Sequence, residues 1–160
     1  MFKKIIAVSL LLLAAAAVFG QTPEKTVRDV YAVHLADLKK EGEDRIVNGQ
    51  SRQYLDRFFD KTLADLIWKD MTTVREGVGV IDFDIFFATQ DEVRLTNFRV
   101  WPAKITGDRA EVRVTYNNWK IKSKIVYLLA RQTDRSWKIS DIKYDEYSLM
   151  KYFRDDEMQK

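Results

Sequence analysis

The hydrophobic period of the chain changes near residue 80, and that change sets the fold class. Before it, Val27, Val30, Tyr31, His34, Leu35 and Leu38 recur three and four residues apart, which places them on one helix face. Thr22-Pro23 ahead of the stripe reads as an N-cap followed by proline at the first helical position. Ser51 and Asp60 stand where they would cap two further helical pieces, one turning Tyr54, Leu55 and Phe58 inward, the other Leu63, Leu66, Ile67 and Met71. The polar stretch 39–50 reads as a loop, and the helical region closes near Glu76-Gly77-Val78-Gly79. Beyond it come strand-like runs over 93–105, 110–119, 121–131 and 137–144, with Gly107-Asp108 and Thr133-Asp134 as turns. Ala110 to Tyr116 alternates cleanly, which predicts an antiparallel strand with Val112, Val114 and Tyr116 facing the helices. Ile139 and Ile142 break the alternation by standing three apart, the mark of a β-bulge. Residues 147–153 read as a strand end or a short helix. Helices first and antiparallel strands after make an α+β domain, with three helical pieces packed on one face of a bent sheet of at least four strands.

The first twenty residues are a different material. Lys3-Lys4 precedes an apolar run from Ile5 to Phe19 interrupted only by Ser9, and small residues close it. This is the pattern of a cleaved signal peptide, and the run is shorter than the roughly 20 apolar residues of a membrane span. The reading divides the chain into a leader over 1–20 and one domain over 21–160, periplasmic or secreted, with no stable span after cleavage. Without the two leader lysines, 25 basic residues face 24 acidic ones, so the basicity of the whole chain is largely the leader's. The chain has no cysteine, which excludes disulfides, thiol chemistry and Cys-based zinc sites.

Several segments together resemble a bacterial family of exported domains, the DUF3828 group of the nuclear-transport-factor-2-like superfamily. They are Thr22-Pro-Glu-Lys-Thr-Val-Arg28 with Tyr31, Tyr54-Leu55, Ile81-Asp-Phe-Asp84 with Ala88-Thr-Gln-Asp91, Gly107-Asp-Arg-Ala-Glu-Val-Arg-Val114, and Trp137-Lys-Ile-Ser-Asp-Ile142 with Tyr144. Ile85 stands where that pattern has proline. The resemblance implies helices laid against a strongly curved sheet, a cone with a cavity at its wide end. It implies no activity, because one such fold hosts many functions.

Candidate sites follow from residue types. Asp82 and Asp84, two apart, would share one side of a strand and could form an oxygen-rich cation site with Gln90 and Asp91, or hold one raised carboxylic acid in a cavity. More commonly such aspartates cap a turn, and replacing either by Asn would then cost within about 1 kcal/mol. The segment lacks the glycine and the terminal glutamate of a 12-residue calcium loop, so no metal is assigned. His34, the sole histidine, lies on the stripe of the first helix, where a cavity contact competes with an ordinary core role. Tyr31 and Trp101 belong to a set of aromatics, Trp119 among them, that could wall a ligand cavity but that mostly reads as core.

Charge divides unevenly: residues 21–92 carry 10 basic and 15 acidic side chains, residues 93–160 carry 15 and 9. Lys120, Lys122 and Lys124 alternate onto one strand face, and Arg113, Lys138 and Lys143 could join them outward. Such a face suits an acidic protein, an acidic glycan or anionic head groups, and it also blunts sheet-to-sheet association. A net charge near zero speaks against nucleic acid. The nucleophile-elbow, phosphate-loop and zinc-hydrolase motifs are missing, and no cofactor is implied. These features favour a non-enzymatic exported binding domain, acting through a cavity or the open sheet face on an unknown small molecule or periplasmic protein. Two alternatives stand beside it: an immunity-type protein-interaction partner, and a cavity acid–base enzyme of isomerase or hydratase type. A homodimer through the sheet is a further open pairing.

Overall fold

A computed structural model describes residues 21–40, 51–73 and 79–158. The expected leader over 1–20, residues 41–50 of the expected loop and residues 74–78, including most of the segment expected to close the helical region, lie outside them. Helix α1 runs over Pro23–Asp37, α2 over Arg52–Phe58, α3 over Lys61–Thr72 and α4 over Leu149–Met158. The strands are β1 (Leu95–Val100), β2 (Lys104–Thr106), β3 (Arg109–Asn118), β4 (Ile121–Arg131) and β5 (Trp137–Lys143).

Local chemistry accounts for most boundaries. Thr22 accepts from the Lys25 amide and Pro23 opens α1. Asp60 accepts from the Leu63 amide and starts α3. Ser51 holds the N-cap position of α2 but makes no capping hydrogen bond, contrary to its expected role. The long strand expected over 93–105 is split: Trp101-Pro-Ala103 separates β1 from β2, since proline brings no ladder donor. The closing segment resolves as helix α4, with Leu149 and Phe153 buried.

The sheet is antiparallel in the order β1-β3-β4-β5, and β2 lies end to end with β1 along the same edge of β3. Its register shifts opposite Leu128 and Leu129, at the expected bulge of β5. Ala110, Val112, Val114 and Tyr116 of β3 and Ile125, Tyr127 and Leu129 of β4 turn inward to a core closed by α1, α2 and α3. The link between α2 and α3 covers the free edge of β5, where Phe59 bridges Ile139. Lys138, expected outward, instead donates to the carbonyls of Asp56 and Arg57 at the end of α2, satisfying acceptors that a helix C-terminus leaves open.

Candidate functional site

Among the described residues, a segment of the chain itself enters the space between α1 and the inner face of the sheet. Residues 84–89 form a tight turn, closed by Asp84 N–H to Thr89 carbonyl (2.8 Å) and Ala88 N–H to Asp84 carbonyl (2.7 Å). The turn drives Ile85, Phe86 and Phe87 into the core, where all are buried. Three consecutive carbonyls thereby enter an apolar interior, and each meets a phenol: Tyr144 donates to Ile85 (2.9 Å), Tyr31 to Phe86 (2.8 Å) and Tyr116 to Phe87 (2.9 Å). Tyr127 donates in turn to the Tyr31 oxygen at 2.9 Å. An unpaired buried carbonyl costs free energy comparable to a lost hydrogen bond, so these phenols permit main chain to act as core. Burial pushes Tyr31, Tyr127 and Tyr144 well above the usual phenol range and Tyr116 up to about 12. The protons of Tyr31, Tyr116 and Tyr144 are committed to main-chain oxygens, so these groups are not disposed as oxyanion donors.

A polar cluster sits beside this plug. His34, 1% exposed, places Nε2 2.7 Å from Oδ2 of Asp84, while Asp84 Oδ1 accepts from the Phe86 amide at 2.8 Å. Asp84 therefore holds its own turn and anchors it to α1. One turn along α1, the carboxylate of Asp37 is buried with Lys40 Nζ 3.4 Å away as an ion-pair partner, and neither oxygen has a hydrogen bond. The Tyr54 hydroxyl is also buried without a hydrogen bond. Burial pushes its pKa up, and the charges of Asp84 and Asp37 push it further. Among the described residues, no three His, Cys, Asp or Glu side chains converge as a metal-holding group.

Of the residues singled out from the sequence, Tyr31, His34 and Asp84 come together here. Asp82 does not: the strand geometry that would align it with Asp84 is absent, because Asp84 enters a turn. Asp82 is exposed and accepts from Gln90 Nε2 at 3.0 Å. The idea of a shared two-aspartate site is thus corrected. Trp101 lies on the opposite, outer face of the sheet. Its indole N–H donates to Thr115 Oγ1 (3.0 Å), and the guanidinium carbons of Arg99 and Arg113 lie 3.7 and 4.5 Å from its ring centroid. Arg113, Lys122 and Lys124 share that outer face, since β3 and β4 pair Arg113 with Val126, Thr115 with Lys124 and Asn117 with Lys122. Lys124 pairs with Asp145 at 3.3 Å. Trp119, grouped with the core aromatics, is 52% exposed at the tip of the β3–β4 hairpin.

Residue type alone does not single out Asp37 as part of a site. Its position three residues after His34 on one helical stripe was the available signal. Two surface hollows of about 350 Å³ each lie elsewhere. One lies at the β2–β3 end of the sheet beside Lys104, Arg109, Glu111 and Leu128; the other lies against α4 beside Tyr147 and Tyr152. No helix among the described residues is long and apolar enough to cross a membrane.

No protein-family model matches the chain. A stretch of 100 residues is 26% identical to the exodeoxyribonuclease 7 large subunit of Mycoplasma mycoides subsp. mycoides SC; it covers 59% of this chain and 21% of that protein. The chain thus spans about a fifth of that relative's length. Among solved structures, the fold is similar to a chain of the type VI native effector–immunity complex Tae3–Tai3 from Ralstonia pickettii. The TM-score is 0.56 and the identity 20%, with 79% of this chain and 98% of that chain covered. That likeness establishes a shared α+β fold of helices on an open antiparallel sheet.

Proposed function

We propose that this chain is an exported protein-interaction domain of the immunity-partner type, acting through the surface of its sheet. The observation that carries the reading is the plug. Ile85, Phe86 and Phe87 fill the interior that a small ligand would need, and the phenols that line it already bond the plug's carbonyls. Recognition then falls to the exterior, where aromatic and arginine side chains are held in place on the outer face of the sheet. Trp, Tyr and Arg dominate binding energy at protein interfaces. The crystal structure that shares the fold is itself a protein–protein complex, which supports the same reading. The apolar leader accords with a partner met in the periplasm or outside the cell.

The test is crosslinking in intact source cells followed by native mass spectrometry of the purified complex. A stoichiometric protein partner, reconstituted from purified components, is the expected result, together with loss of the leader in the intact mass. A chain that keeps a small molecule through purification and binds no protein would overturn the proposal.

A further inference from the structure

The tip of the β3–β4 hairpin is built unlike the rest of the sheet. Asn118 pairs with Ile121, so Trp119 and Lys120 form a two-residue turn. The first central position of such a turn takes positive φ, and Gly, Asn or Asp ordinarily fill it. Here Trp119 occupies it at φ 56°, a strained conformation for a bulky side chain. The strain yields no burial: the ring is 52% exposed, and Ile121 beside it is 71% exposed. Ile121 continues the inner row of Tyr127 and Ile125, yet those two residues are buried and it is not.

The tip is nevertheless braced by several contacts. The Trp119 amide donates to the Arg94 carbonyl (3.0 Å) and its indole N–H to the Glu92 carbonyl (3.3 Å). The Arg94 amide donates to Asn118 Oδ1 (2.8 Å), and the Arg94 guanidinium lies 4.0 Å from the Trp119 ring centroid. A strained, exposed and braced tryptophan with a stacked arginine is a preorganised contact that loses little freedom on binding.

Building on the protein-interaction reading, we infer that this tip is the anchor of the interface and that its occupant is an acidic depression on a partner protein. Trp119 and Ile121 would enter the depression, while Arg94, Lys120 and Lys122 meet carboxylates at its rim. Among the described residues, neither Lys120 nor Lys122 has an ion pair, so both ammonium groups are available to a partner. Arg94 is shared with Glu92 at 3.5 Å, and Lys124 behind the tip with Asp145. Those two carboxylates favour a bounded acidic depression on a protein over a continuous anionic membrane, which would repel them.

The test places a photo-crosslinking amino acid at position 121 of the full-length chain, with position 104 at the far end of the sheet as comparison, and irradiates intact source cells. The protein captured through position 121 is purified and its binding to the unlabelled chain measured by calorimetry. Trp119→Gly should weaken binding by about 30-fold, the scale of a hot-spot truncation. Its Tm should hold or rise, because glycine relieves the positive φ. A double Lys120→Glu and Lys122→Glu variant should weaken binding by at least about 10-fold and flatten its salt dependence. A lowered Tm with unchanged affinity in Trp119→Gly would overturn the inference by making the tryptophan structural. Capture through position 104 and not 121 would overturn the tip while leaving the interaction reading intact, and capture at neither position, with none by chemical crosslinking, would remove both. Trp119-dependent flotation with phosphatidylglycerol–phosphatidylethanolamine vesicles, without protein capture, would assign the tip to lipid and overturn the protein partner.

Discussion

The two faces of one sheet use aromatic side chains in opposite ways. On the inner face, Tyr31 of α1 and Tyr116 and Tyr127 of the sheet point their polar ends into the core, and the hydroxyls hold a piece of main chain there. On the outer face and at the hairpin tip, Trp101 and Trp119 keep their rings at the surface and take arginines on their π faces. The inner tyrosines give free energy to folding; the outer tryptophans leave contact area unused by it. The difference lies in what each polar end meets. A phenol in an apolar interior needs an acceptor and finds the carbonyls of 85–87, whereas an indole N–H at the edge can be satisfied by a neighbouring carbonyl or threonine while its ring stays accessible.

Alkali should break the inner face with the largest effect. The folded-state pKa values of Tyr31, Tyr116, Tyr127 and Tyr144 are all raised by burial. A group whose pKa is raised on folding contributes stability that is fully present below its unfolded value, near 10, and is lost as pH climbs toward its folded value. Each of these phenols should therefore remove about 1.4 kcal/mol per pH unit above 10 while it remains neutral in the folded state. Denaturant midpoints should be flat in this respect up to about pH 10 and then fall steeply. Tyrosinate absorbance should show Tyr31, Tyr127 and Tyr144 ionising only with unfolding. Independent titration of all seven tyrosines near pH 10 would remove the cradle.

Phe86→Ala comes next. The ring is fully buried against Tyr31, His34 and Phe59, and its loss should cost about 3–5 kcal/mol in chemical denaturation. The same truncation at the outer face, Trp101→Ala, should cost far less, because that ring is only half-buried.

Much of this architecture was legible from periodicity. The stripe on α1, the Thr22 and Asp60 caps, the Gly107 turn at φ 57° and the bulge in β5 all follow from local rules that act within a few residues. The site was not, because its partnerships are long-range. His34 and Asp84 are 50 positions apart, and Tyr31 reaches Phe86 across 55. Aromatic identity also could not separate Tyr116, buried against Phe87, from Trp119, three positions further along at the exposed hairpin tip. Nor could two-residue spacing show that Asp84 turns the chain instead of extending it, which needs the closure to Thr89.

Asp84 carries a smaller effect than Phe86, yet more than turn capping alone would give. Asp84→Ala would leave both the buried His34 ring and the Phe86 amide without their acceptor, and should cost about 2–3 kcal/mol. Asp84→Asn keeps an acceptor for the amide and should cost about 1–2 kcal/mol through the weakened contact with His34. Equal stability of wild type and Asp84→Asn, measured by urea denaturation, would reduce the residue to a turn cap.

The smallest effect belongs to the neighbour that resembles Asp84 in sequence. Asp82 is exposed, and its hydrogen bond comes from the exposed amide of Gln90, so solvent competes for both ends of the contact. Asp82→Asn should therefore change stability by no more than about 0.5 kcal/mol, as surface substitutions away from special features do. Because the Asp84 carboxylate is taken up by His34 and the Phe86 amide and shares no site with Asp82, relief of like-charge repulsion should not appear as a gain. Thermal melts of the wild type and of Asp82→Asn should also respond alike to added calcium, since ligand binding to the folded state would raise the wild type's Tm selectively. A Tm that climbs by several degrees with calcium in the wild type and not in Asp82→Asn would reunite the two aspartates as one site and undo the separation drawn between them.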